Sequence, residues 1–192
     1  MIEYEKKYLL NRDEYVFLLE NLFSGKHEIK QINHYYDSDK CFLNHMGITY
    51  RVRENDDVKC VTIKYHNQYG KDGSWEESFL IDNIPLEAIY KNLRLRNKGC
   101  LTTIRNNNYI NDGLILSLDK NEYLNFTDFE LEIEYDKSQE ELAWYWENKI
   151  CEMLVNGGFV ETSKEFFTVK RNFCSKSNRF FEKLRELEGK GV

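Results

Sequence analysis

Charged residues recur along this chain at a spacing of two. Glu3, Glu5 and Lys7 form an E-x-E-x-K run, and Arg51 and Arg53 form an R-x-R. Thr62-Ile63-Lys64, Glu76, Arg105, Ser117-Leu118-Asp119 and the run Glu130-Leu131-Glu132-Ile133-Glu134 follow in order. In extended backbone, residues two apart share a face. Each segment therefore sets its charges on one face and its apolar residues, such as Val52, Ile63, Leu131 and Ile133, on the other. A single strand of this kind is ordinarily a solvated outer face. Seven in one chain point instead to faces that turn together around a polar bore, with the apolar faces packed against helices.

The chemistry of such a bore follows from the residue types. Clustered carboxylates repel one another unless a cation neutralises them, and removing one should relieve that repulsion without unfolding the chain. Hard divalent ions such as Mg²⁺ or Mn²⁺ take oxygen ligands. Arginine offers phosphate oxygens a bidentate fork. Carboxylates, a divalent ion and clustered cations together describe a polyphosphate site. The sequence has no glycine-rich phosphate loop, so side chains must hold the phosphates. The four histidines, His27, His34, His45 and His66, fall in no metal-ligand spacing and are expected on the surface or in loops.

The elements that position these residues are mostly strands. Alternation predicts strands over residues 2–9, 32–37, 47–54, 58–66, 75–81, 101–110, 113–120, 128–136 and 159–173. Residues 68–74 carry hairpin chemistry. Apolar residues at helical spacing predict a helix over 13–23. Pro85 at a first helical turn predicts another to about Arg96. Ser138 and Glu141 form an S-x-x-E capping box before a long helix to about Val155, which Gly157 and Gly158 end. A charged helix is expected over 175–188. The class is α+β, with a closed or nearly closed antiparallel sheet. Leu142, Trp146, Ile150 and Leu154 should pack the long helix on the sheet, with a homodimer contact as the alternative.

With 192 residues and a formal net charge of -6, the chain suits one domain, 1–192, and lacks the basic excess of a nucleic-acid binder. Five cysteines with no C-x-x-C pair argue against a disulfide framework or a structural zinc site. No apolar run approaches the roughly 20 residues that span a membrane. The first residues are charged throughout, so a cytoplasmic location is expected.

The motifs in their order resemble the CYTH superfamily, the triphosphate tunnel metalloenzymes. The resemblance rests on E-x-E-x-K at 3–7, on His34-Tyr35-Tyr36-Asp37-Ser38 with Leu43 and Gly47, on R-x-R at 51–53 and on T-x-K at 62–64. Glu76, Arg105, Asp119 and E-L-E-I-E at 130–134 continue it over nearly the whole chain. It implies an eight-stranded antiparallel closed β-barrel with helices outside, and divalent-metal-dependent cleavage of triphosphate compounds. By position, Lys7, Arg51, Arg53, Lys64 and Arg105 would hold phosphates. Glu3, Glu5, Asp119, Glu130, Glu132 and Glu134 would serve the metal. Glu5, Glu132, Glu76 and Lys7 would carry catalysis. The family's C-terminal lysine is matched by Lys164, with Lys170 and Lys176 as alternatives.

Inorganic triphosphatase activity is the leading expectation. Thr49 stands two residues before Arg51, where an aromatic residue would stack on a thiamine ring, which weakens thiamine triphosphate as substrate. A class IV adenylyl cyclase and a non-catalytic polyphosphate- or nucleotide-binding module are the other readings.

Overall fold

The computed structural model describes residues 2–66 and 73–189; the side chain of Glu3 and the hairpin expected over 68–74 lie largely outside the described residues. The chain runs β1 (Ile2–Leu10), α1 (Arg12–Leu22), β2 (Glu28–Asp37), α2 (Phe42–His45), β3 (Ile48–Asn55), β4 (Val58–His66) and β5 (Gly73–Ile81). It continues with β6 (Glu87–Tyr90), β7 (Leu93–Asn111), β8 (Leu114–Tyr123), β9 (Phe126–Tyr135) and α3 (Glu140–Asn156). A single turn α4 (Ser163–Glu165), the short strand β10 (Arg171–Asn172) and α5 (Lys176–Gly189) complete it. The class is α+β, an antiparallel sheet with helices.

The strands follow the order β1-β5-β4-β3-β2-β7-β8-β9. β1 pairs with β9 from Tyr4↔Tyr135 to Leu10↔Phe129. Its other edge meets β5 at Ile2↔Trp75 to Tyr4↔Gly73, and β10 at Lys7↔Asn172 and Tyr8↔Arg171. The register sets Glu5 opposite Glu134, Lys7 opposite Glu132, Arg105 opposite Asp119 and Lys64 opposite Glu76. Charged faces of neighbouring strands thus coincide, as period two requires once the register is set.

The apolar faces are covered. Tyr8, Leu116, Leu118, Leu131 and Ile133 pack beneath Tyr15 and Leu18 of α1 and Ala143, Ile150 and Leu154 of α3. Leu142 and Trp146 join this cluster, so the long helix packs on the sheet as its spacing requires. Tyr36, Tyr50, Val52, Val61 and Ile63 form a second cluster with Leu43 and Leu95. A third joins Tyr35, Leu101 and Tyr123 to Phe180 and Phe181 of α5. Gly99, at φ +130°, permits this docking: a Cβ there would stand 3.0 Å from Cζ of Phe180. No helix among the described residues is long and apolar enough to cross a membrane.

Three expectations are corrected. Residues 85–96 are not a helix but the hairpin β6–β7, turned at Lys91 and Asn92, both at positive φ. Ala88, Tyr90, Leu93 and Leu95 pack on the second cluster with the alternation of strands. The capping box at Ser138 does not form. Residues 137–139 make a tight turn, and Gln139 precedes α3 without a side-chain cap. Most of 159–173 is not a strand either. Thr162 accepts from the Glu165 N–H and starts a helical turn, and Phe166 is buried against the Tyr8 ring with centroids 4.3 Å apart.

Where a capping box does form, it is at α1. Asn11 Oδ1 accepts from the Glu14 N–H at 2.9 Å, and Glu14 Oε2 accepts from the Asn11 N–H at 2.7 Å. Asn11→Ala should lower stability by about 1 kcal/mol, read as a lower urea midpoint with unchanged slope.

Candidate active site

The charged faces line a cavity of about 110 Å³. Glu5 and Lys7 come from β1, Arg51 and Arg53 from β3, Lys64 from β4 and Glu76 from β5. Arg105 comes from β7, Glu132 and Glu134 from β9, and Lys176 from the start of α5. Tyr35, Thr49, His66, Ser175 and Ser177 complete the lining.

Lys164 does not line the cavity. It is exposed on α4, and Lys170 pairs with Glu14 at 2.8 Å. The lysine that enters from the C-terminal region is Lys176, whose Nζ stands 2.9 Å from Asp119, 2.7 Å from Glu130 and 2.6 Å from Glu132. His66 departs from its expected surface position and lies in the wall. Parity could have placed it, because it follows Lys64 by two on one strand. Thr49 is on the wall by the same rule. Arg179 was not anticipated; it lies one helical turn beyond Lys176.

The carboxylates are not a mutually repelling group, as the sequence suggested; cations already bridge them. Asp119 accepts from Arg105 Nε and Nη2 at 2.8 and 2.7 Å. Both Glu130 oxygens accept from Arg179, at 3.0 and 3.1 Å, and Glu132 bonds Arg105 as well as Lys176. Burial alone would raise the carboxyls of Glu130 and Glu132. Lys176, with Arg179 at the first and Arg105 at the second, holds both below the ordinary range.

Glu5 and Glu134, paired across β1 and β9, differ. Glu5 Oε1 stands 2.6 Å from Lys7 and 3.2 Å from Lys64. Burial raises its carboxyl, but Lys7 and Lys64 outweigh this and bring it down to about 2. Glu134 meets Arg105 at 3.2 Å and is held above the ordinary range by burial, with Glu132 and Glu5 adding to the shift. It is the carboxylate short of positive charge.

On β3, Arg51 Nη2 stands 3.7 Å from Glu76, and its buried Nε has no hydrogen-bond partner among the described residues. Arg53 Nε donates to Asn33 Oδ1 at 2.9 Å. Burial and its neighbours Arg51 and Arg105 pull the Arg53 guanidinium down to about 10.

Asp119, Glu130 and Glu132 present ligand atoms within 4.8 Å of one another, a geometry that could hold a metal ion. All six of their oxygens already have cationic partners. Glu5 and Glu134 also present carboxylate oxygens to the cavity, from facing positions on β1 and β9.

The CYTH domain family model matches residues 1–155, and the chain belongs to that family. No curated protein matches it. Among solved structures, a candidate adenylate cyclase from Bacillus halodurans is 22% identical, with a TM-score of 0.62 over 82% of this chain and 90% of that one. A candidate adenylyl cyclase from Hippeastrum, described as having a dominant triphosphatase activity, is 19% identical, with a TM-score of 0.58 over 79% and 87%. The Mimivirus capping enzyme triphosphatase is 10% identical, with a TM-score of 0.51 over 78% and 88%. At these identities the likeness is one of fold.

Proposed function

We propose that this chain hydrolyses the terminal phosphate of triphosphate compounds, with inorganic tripolyphosphate as the preferred substrate and Mg²⁺ or Mn²⁺ as the cofactor. The observation that carries this reading is the charge of the cavity. Six cationic side chains and four carboxylates line it, an excess of two positive charges in a chain of net charge -6. Such a pocket concentrates a polyanion. Its volume of about 110 Å³ is well below the roughly 300 Å³ at which organic ligand pockets begin, which favours a bare phosphate chain. We take the eight long strands to roll into a tunnel, a reading supported by the pairing of β1 with both β9 and β5.

In this reading Arg51, Arg53, Lys64 and Lys7 bind the phosphate oxygens, and Arg51 Nε gains the acceptor it lacks. Glu5 and Glu134, with Glu132 behind them, offer the oxygens that would hold a divalent cation. When bound, that cation supplies neutralisation of charge on the phosphate oxygens. Glu76, between Arg51 and Lys64, orients the attacking water. The water oxygen bonds to the terminal phosphorus as the bridging P–O bond breaks, giving orthophosphate and pyrophosphate. Asp119 and Glu130 act in this scheme by holding Arg105, Lys176 and Arg179.

The test is phosphate release from tripolyphosphate, ATP and thiamine triphosphate with each metal. Fastest release from tripolyphosphate is expected. Cyclic AMP and pyrophosphate from ATP would establish a cyclase, the activity named for two of the similar structures. Tight binding without turnover would establish a binding module. Arg53→Ala should raise the Kd for tripolyphosphate roughly 10- to 150-fold, the worth of a hydrogen bond of about 1.5–3 kcal/mol to a charged group. Arg53→Lys should recover only part of this, because lysine lacks the fork. Calorimetric titration would measure both.

A further inference from the structure

We propose that His66 is a further phosphate-positioning residue, a neutral imidazole whose Nδ1–H donates to a substrate oxygen and whose tautomer is set by a chain of hydroxyls leading from α5. The inference rests on the polyphosphate reading for its ligand and on hydrogen-bond geometry for its tautomer.

Thr49 Oγ1 lies 2.9 Å from His66 Nε2 and 2.6 Å from Ser177 Oγ. Ser177 Oγ lies 2.8 Å from Ser175 Oγ, which accepts from the backbone N–H of Asn178 at 3.1 Å. Thr49, Ser175 and Ser177 are buried, so each hydroxyl proton needs an acceptor.

A hydroxyl has one proton to give, and a backbone N–H can only donate. Starting from Asn178, Ser175 donates to Ser177, Ser177 to Thr49, and Thr49 to His66 Nε2. Every hydroxyl proton then has an acceptor, and the proton left without one among these contacts is Nδ1–H, on a half-buried ring that lines the cavity. The reverse order starts with Nε2–H donating to Thr49 and ends with the Ser175 proton lacking an acceptor among these contacts. The forward order therefore places the lone pair on Nε2 and the imidazole proton on Nδ1.

The ring itself stays neutral. Burial, then the charges of Lys64, Lys7 and Arg51 against the opposing pull of Glu5, brings its pKa down to about 3. A neutral donor suits this wall, because it can fix the orientation of a phosphate chain already neutralised by cations without adding a further buried charge. Since Ser175 and Ser177 flank Lys176, the same few residues at the start of α5 set the tautomer and deliver a cation to the cavity.

The experiment is a long-range ¹⁵N–¹H correlation spectrum of protein with ¹⁵N-labelled histidine rings, which separates the two neutral tautomers. The wild type should show His66 with its proton on Nδ1 at neutral pH. Titration with inorganic tripolyphosphate in the presence of Mg²⁺ should shift that ring, and Thr49→Val should convert it wholly or partly to the Nε2–H form. A wild-type ring protonated on Nε2, or on both nitrogens, would overturn the proposal. In kinetics, His66→Leu should raise KM for tripolyphosphate about tenfold with kcat little changed. His66→Asn, whose amide N–H can take the place of Nδ1–H, should restore most of it. An unchanged KM in His66→Leu would equally overturn the assignment. If wild-type protein binds tripolyphosphate without hydrolysing it, the triphosphatase reading fails, and the ring spectrum and titration still decide the role of His66.

Discussion

Glu5→Gln is expected to reduce metal-dependent tripolyphosphate hydrolysis by two orders of magnitude or more while the protein remains folded. Glutamine keeps the shape of the side chain and an acceptor oxygen for Lys7, but it removes one of the two carboxylate charges that face each other across β1 and β9. A bound divalent cation stabilises the transition state by several kcal/mol, and each 1.36 kcal/mol is a factor of ten in rate. Loss of one ligating charge therefore costs about 10²-fold or more. Stability should fall only modestly. Lys7 and Lys64 lose a partner but line an open cavity, and Lys64 retains Glu76 at 3.9 Å. The sign of the pH effect is set by the carboxyl pKa of about 2 against an ordinary value of 4.5. The Glu5 contribution to wild-type stability is present above the ordinary value and is lost as pH falls toward 2. Glu5→Gln should accordingly be less acid-sensitive than wild type in this window. Single-turnover assays with saturating Mn²⁺, beside urea melts, would check both parts, and near-wild-type turnover would remove Glu5 from the proposed metal site.

Much of the site was legible because period two is a property of the local backbone. Once a segment is extended, Arg51 and Arg53 share a face whatever surrounds them, and E-x-E-x-K and E-L-E-I-E behave alike. The same rule reaches Thr49, two residues before Arg51, and would have reached His66, whose residue type gave no hint of charge chemistry. Register and ion pairing were not legible, since they are tertiary. Nothing in the spacing of Glu130, Lys176 and Arg179 says that two helix residues lie over one β9 carboxylate. Lys164 and Lys176 could not be told apart for a related reason: each follows a serine, and only the packing of Phe180 and Phe181 on Tyr35, Leu101 and Tyr123 decides which enters the cavity. The 85–96 hairpin was obscured by Pro85, a good first helical residue, although Ala88, Tyr90, Leu93 and Leu95 alternate as strand residues do.

Glu130→Ala should be the most destabilising single change in the charged interior, lowering stability by about 3–5 kcal/mol, the cost of breaking a buried ion pair from one side. Its side chain is fully buried and holds both Arg179 and Lys176. Without it, Arg179 keeps Asp128 at 3.0 Å and Lys176 keeps Asp119 and Glu132, but each buried cation loses one of its counterions. The consequence should concentrate at α5, whose first two turns carry both cations, so hydrogen exchange should quicken there before it does in β8 and β9. Burial would raise the Glu130 carboxyl, yet Lys176 and Arg179 keep it below the ordinary range. The stability it contributes is therefore full above the ordinary carboxylate pKa and fades as pH falls through the depressed one, so wild type and Glu130→Ala should converge in stability on acidification. Glu130→Gln, which keeps two hydrogen-bonding atoms and the volume, should recover part of the loss at neutral pH. If Glu130→Ala melted with wild-type stability and lost only its metal dependence, Glu130 would be a ligand and not the anchor of α5.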